Sequence, residues 1–173
     1  GTAMAATTAM LTDRYELTML DAALGDGTAE RRATFELFTR RLPAGRRFAM
    51  VAGVRRALEA VARFRFTEGD LAWLAAEGVV SEDTLAWLAD HRFGGDIWGY
   101  RDGELFFPRS PLLVVEGTFA ECVLLETVLL SILNHDAAVA SAAARMRLAA
   151  GERTLLEMGG RRTDCDAAVA RIQ

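Results

Sequence analysis

Thr154-Leu155-Leu156-Glu157-Met158-Gly159-Gly160-Arg161-Arg162-Thr163 runs from a short apolar stretch into two glycines, two guanidinium groups and a hydroxyl. The apolar residues predict a strand over 154–158, and the glycines a tight turn at its C-terminal end. Glycine accepts positive φ there and lets the backbone lie close to a ligand. Arginine forks beyond such a turn suit carboxylates and phosphates, and ligands of α/β folds gather at the carboxyl ends of strands. The spacing alone fits a surface turn with solvated arginines equally well.

Upstream of that stretch, Phe119–Leu133 has the spacing of a helix, with Phe119, Cys122, Val123, Glu126, Leu130 and Leu133 on one face. Glu126 thereby enters an apolar stripe and needs a partner. Asn134 and His135 are read at the end of that helix, and an alanine-rich second helix over 137–150 stops at Gly151. Before these lie an N-terminal helix capped by Thr12 or Asp13 and ended by Gly25-Asp26-Gly27, then a strand over 33–40 closed by Arg40-Arg41-Leu42-Pro43. The arginine pair suits a phosphate or a solvated rim. A short strand at 47–51 precedes helices at 54–64, 67–75 and 81–91, and short strands at 93–100, 104–107 and 112–116 follow them. Asp102-Gly103 is a hairpin signal, which predicts an antiparallel meander through the last three strands. Trp73, Leu74, Leu85, Trp87 and Leu88 read as core.

The order of elements is α+β first, then a helix-helix-strand-helix run suited to opening an α/β barrel. Residues 1–9 are set apart as a cloning scar or disordered stretch, 10–117 form the α+β N-terminal domain, and 118–173 the incomplete barrel domain. The net charge of −4 argues against a non-specific nucleic-acid binder. All twenty basic residues are arginine, so a single arginine carries less information here than usual. Cys122 and Cys165 lack metal-ligand spacing and read as reduced thiols of a cytoplasmic protein. No apolar run is expected to cross a membrane.

Several pieces of the chain resemble the nicotinate phosphoribosyltransferase family, a type II phosphoribosyltransferase-like fold. They are Leu11-Thr12-Asp13-Arg14-Tyr15-Glu16-Leu17-Thr18-Met19, Phe35-Glu36-Leu37-Phe38 with Arg40 and Pro43, Phe48–Gly53, Phe64-Arg65-Phe66-Thr67, Leu133-Asn134-His135 and Glu157-Met158-Gly159-Gly160-Arg161-Arg162. Each is weak alone; their order and spacing together are specific. The resemblance implies an enzyme of pyridine nucleotide salvage. It would join nicotinate to phosphoribosyl pyrophosphate, releasing nicotinate mononucleotide and pyrophosphate, with ATP hydrolysis and magnesium in support. It also implies a homodimer with shared active sites, or a companion chain carrying the rest of the barrel.

By the same resemblance, Tyr15 stacks on the pyridine ring from the neighbouring subunit, and Asp13 supports the tyrosine loop. Arg161 lies near the ring and the phosphoribosyl group with Arg162 beside it, and Arg40 contacts a phosphate. Met158 stands where the family often has phenylalanine, which softens the ring sandwich. The family's phosphorylated histidine is expected downstream of this chain, so no catalytic residue is assigned within it. His91 and His135 read as capping or core residues. Two alternatives remain open from sequence: a related enzyme acting on nicotinamide or quinolinate, and a truncated non-catalytic homologue serving as a dimerising module.

Overall fold

A computed structural model of the chain describes residues 7–156 and 158. Helix α1 (Arg14–Asp26) starts at Asp13 and ends at Gly27, whose φ of 79° closes the last turn in the left-handed conformation that glycine adopts freely. Strands β1 (Arg32–Phe38) and β2 (Ala49–Met50) follow, then α2 (Val54–Ala62), α3 (Glu68–Ala76) and α4 (Glu82–Asp90). Strands β3 (Asp96–Gly99), β4 (Leu105–Phe106) and β5 (Pro111–Thr118) precede α5 (Phe119–Ala150). Thr67 and Ser81 cap α3 and α4 through their hydroxyls.

The described residues gather into two compact units: 7–35, 57–98 and 114–129 in the first, and 36–56, 99–113, 130–156 and 158 in the second. In the first, α3 and α4 pack together and α1 meets α4. The Asp21 carboxylate holds that last contact by accepting from the Ser81 amide (3.0 Å) and from the hydroxyls of Ser81 (2.6 Å) and Thr84 (2.5 Å). Its core includes Leu20, Phe64, Leu74, Leu88 and Leu125. Trp73, expected in the core, is half exposed on α3 instead. Residues 7–9, expected outside the fold, belong to it. Ala9 is buried, and the Thr8 hydroxyl donates to the Ala60 carbonyl at 2.6 Å.

The expected meander does not form. Strand β5 lies between β1 and β3, while β4 pairs antiparallel with β2, Ala49 opposite Phe106. The Asp102-Gly103 turn is present, with Gly103 at φ 91°, but its flanking strands are not partners. The Asp102 carboxylate instead accepts from the amides of Val54 (2.9 Å) and Arg55 (3.2 Å) in the first turn of α2, where a helix offers its amides no carbonyl of its own.

Two further expectations change. The helices expected at 119–133 and 137–150 are one 32-residue helix, α5. Neither glycine nor proline interrupts it, and Asn134, His135 and Asp136 cost too little propensity to break it. By length and a mean hydropathy of 1.5 this helix could also span a bilayer. Here it serves as a core helix, with Val123, Leu124, Leu125, Val128 and Leu133 buried. The strand expected at 154–158 is absent among its described residues, since Thr154–Leu156 and Met158 take no regular structure. A strand persists only where a neighbour accepts its ladder of hydrogen bonds, and no described strand pairs with these residues.

His91 ends α4 and is buried, stacked on Trp87 (4.5 Å between ring centroids) and edge-on to Phe64. Burial pushes its pKa down to about 4, and Nε2 has no hydrogen-bond partner among the described residues. The unfolded chain therefore takes up this proton first, so stability is complete above about pH 6.5 and falls as the pH drops towards 4. His91→Phe keeps the aromatic packing. In urea titrations it should lose about 3 kcal/mol less than the parent between pH 7 and pH 4. Equal losses would contradict this account.

Candidate functional site

Two places in the chain hold the described candidate residues, one in each unit. In the first, α1 carries Asp13 at its cap, Tyr15 in its first turn and, between their contacts, Glu16. Glu16 is completely buried. A buried carboxylate needs donors around it, and Glu16 accepts from the Asp13 amide (3.0 Å), the Thr127 amide (2.9 Å) and hydroxyl (2.7 Å), and the Thr12 hydroxyl. The Thr127 hydroxyl also lies 3.3 Å from the Asp13 carboxylate. This network ties the start of α1 to the first half of α5.

Beside it, the Tyr15 hydroxyl donates to Glu126 Oε1 at 3.2 Å, while the side chain stays 47% exposed. Glu126 thus finds the partner its position demands. Partial burial, then the charges of Glu126 and Glu16, hold the phenol above its ordinary pKa. Tyr15 is therefore a neutral, oriented ring with an accessible face, suited to stacking on a flat ligand.

In the second unit, a cleft of about 390 Å³ lies between the segment after β1 and the second half of α5. Thr39, Arg40, Arg41, Leu42, Pro43 and Arg46 form one side. Leu133, Asn134, Ala137, Ala138, Ser141 and Arg145 form the other, and Phe106 and Leu112 also line it. The alanines of α5 keep that wall low, which is why the helix leaves room here. Among the described residues, no carboxylate lines the cleft. The Arg145 guanidinium is already employed: it donates to the carbonyls of Ser141 (2.7 Å) and Phe48, and lies 5.5 Å from the Phe48 ring centroid. The side chains of Arg40, Arg41 and Arg46 are exposed, with no hydrogen bond or ion pair among the described residues. Planar cations gathered without acids favour an anionic ligand.

Behind this wall, Asp136 is fully buried and takes both oxygens to Arg56 Nη1 (2.8 and 3.1 Å), with His135 Nδ1 at 2.9 Å. Gly53, at φ 93°, makes room for it: a Cβ there would sit 2.8 Å from Asp136 Oδ2. The sequence placed His135 at a helix end; it lies inside α5, paired to Asp136.

Asp13 and Tyr15 thus share the first unit, and Arg40 lines the cleft of the second. Met158 is 82% exposed and does not line that cleft. Arg161 and Arg162 lie outside the described residues. Sequence reasoning missed Glu16, Asp136 and Arg56 as network residues. The available signal was a carboxylate on an otherwise apolar helix face, which requires a distant donor. Cys122 is buried, and its thiol is pushed up to about 11 chiefly by burial, so it is a poor nucleophile.

Glu16→Ala should destabilise the chain by about 3 kcal/mol in urea unfolding, because it strands the Asp13 and Thr127 donors. Glu126→Gln should lower the Tyr15 phenol pKa towards 10.0 in ultraviolet titration, since it removes a repelling charge. An unmoved titration would mean that Glu126 does not face the phenol in solution.

The N-terminal domain model of nicotinate phosphoribosyltransferase (NAPRTase) matches residues 10–134. Nicotinate phosphoribosyltransferase pncB1 of Mycobacterium tuberculosis is 60% identical over 161 residues, covering 93% of this chain and 36% of that protein. The Bacillus subtilis nicotinate phosphoribosyltransferase is 38% identical over 159 residues, covering 91% of this chain and 32% of its own length. The crystal structure of human nicotinic acid phosphoribosyltransferase matches with a TM-score of 0.84 at 36% identity, over 93% of this chain and 34% of that one. A nicotinate-nucleotide pyrophosphorylase from Pyrococcus furiosus matches with a TM-score of 0.69 at 20% identity, over 98% of this chain and 37% of that one, a likeness of fold alone. The chain spans about a third of the length of these curated relatives. With 125 consecutive residues under one family model, from 10 to 134, this chain belongs to the nicotinate phosphoribosyltransferase N-terminal domain family.

Proposed function

We propose that the chain is the N-terminal portion of a nicotinate phosphoribosyltransferase acting in pyridine nucleotide salvage in the cytoplasm. The complete enzyme transfers the phosphoribosyl group of phosphoribosyl pyrophosphate to nicotinate, releasing pyrophosphate, with ATP hydrolysed alongside. The observation that supports this reading is the cleft with Arg40, Arg41 and Arg46 and no acid among its described lining residues, in a chain of net charge −4. Leaving pyrophosphate gathers charge on oxygen, and fixed guanidinium groups that need no reorganisation stabilise it. Tyr15 stacks on the pyridine ring, Asp13 and Glu16 hold its helix, and Arg161 with Arg162 serve the ring and the phosphoribosyl group. Residues 118–173 open the α/β barrel, with Met158 on the ring's far side. The working assembly is a homodimer that shares its sites.

Magnesium would arrive on the phosphates of phosphoribosyl pyrophosphate, since that ion takes only one or two carboxylates beside substrate phosphates; among the described residues no group of three or more His, Cys, Asp or Glu side chains offers it a protein cage.

In the complete enzyme, Tyr15→Ala should raise the KM for nicotinate about tenfold, the worth of one aromatic contact, with little change in thermal stability. Arg40→Ala should raise the KM for phosphoribosyl pyrophosphate instead, and Arg161→Ala should lower kcat more than stability. Steady-state kinetics with nicotinate, nicotinamide and quinolinate in competition test both role and substrate. Unchanged constants in all three variants, or no preference for nicotinate, would overturn the assignment.

A further inference from the structure

Phe107-Pro108-Arg109-Ser110 forms a turn closed by the Ser110 amide on the Phe107 carbonyl at 3.2 Å. Proline at its second position and positive φ at its third are the marks of a type II turn, whose third position favours glycine or asparagine. Arginine stands there, at φ 68°. It is the one described residue other than glycine with positive φ. A Cβ at such a position is a standing cost that glycine would remove.

The turn is also tied to the cleft. The Arg109 amide donates to the Thr39 carbonyl at 2.8 Å, which sets the strained residue beside the one that precedes Arg40. The Arg109 side chain is exposed and makes no hydrogen bond or ion pair among the described residues. An exposed cation held on strained backbone, one hydrogen bond from the Thr39–Arg41 segment, is placed to meet an anion outside the chain.

We propose that Arg109 is a further anion-binding side chain of the arginine cleft, engaging a ligand that carries two linked phosphate groups. One phosphate occupies the fork of Arg40 and Arg41, and Arg109 reaches the second from the adjoining turn. Specificity for a diphosphate over a single phosphate follows, because only the longer anion meets both. The proposal rests on the cleft being a phosphate site.

Calorimetric titration of the full chain with inorganic pyrophosphate and with inorganic phosphate tests it, using the parent, Arg109→Gly, Arg109→Asn and Arg40→Ala. Both Arg109 variants suit a left-handed turn residue, so both should fold and melt a few degrees higher without ligand. Both should bind pyrophosphate about tenfold more weakly, the loss of one charge-assisted contact, while binding of single phosphate changes little. Pyrophosphate affinity equal to the parent's in both variants, with Arg40→Ala impaired, would overturn the role of Arg109 and leave the cleft reading standing. A parent chain that binds no pyrophosphate would overturn both. Lower melting temperatures in both variants would show that the side chain serves the fold.

Discussion

A carboxylate sealed from water must be surrounded by donors or the fold around it fails. Glu16 is such a group, and its donors come from both sides: Thr12 and Asp13 on its own helix, and Thr127 from α5. The position of α1 in the first unit follows from that satisfaction. So does the presentation of Tyr15, one residue away, whose hydroxyl rests on Glu126 while its ring face remains open. Asp136 plays the corresponding part in the second unit, where Arg56 and His135 satisfy it and Gly53 gives it space.

Acids and bases are treated in opposite ways. The buried Glu16 and Asp136 are partnered, whereas Arg40, Arg41 and Arg46 have no acid beside them among the described residues lining their cleft. Like charges kept together cost free energy unless a ligand relieves them. In a chain with more acidic than basic residues, that segregation points to an anion rather than to accident. The function proposed above gives the anion a chemical identity that the charges alone do not.

Much of this was legible in the sequence because it is local. Asp13, Thr67 and Ser81 start helices, Gly27 ends one, and the 3.6-residue period of 119–133 marks α5. What the sequence hid is what depends on distant partners. Strand β4 pairs with β2, not with its neighbour in sequence, because Asp102 is drawn to the start of α2. Residues 134–136 looked like a helix end, yet Asp136 is paid for by Arg56, eighty positions away. Residues 154–156 have strand composition without a strand partner. Of the candidate residues, Tyr15, Asp13 and Arg40 were named from motif order, while the networks of Glu16 and Asp136 and the backbone strain at Arg109 emerged only from the fold.

The central claim is that the segment after β1 is where phosphate is held. Hydrogen–deuterium exchange of the complete enzyme, with and without phosphoribosyl pyrophosphate, tests it most directly. The account predicts slowed exchange concentrated at residues 39–46 when the phosphorylated ligand is present. Ligand-induced protection elsewhere in the protein, with 39–46 exchanging as in its absence, would contradict it.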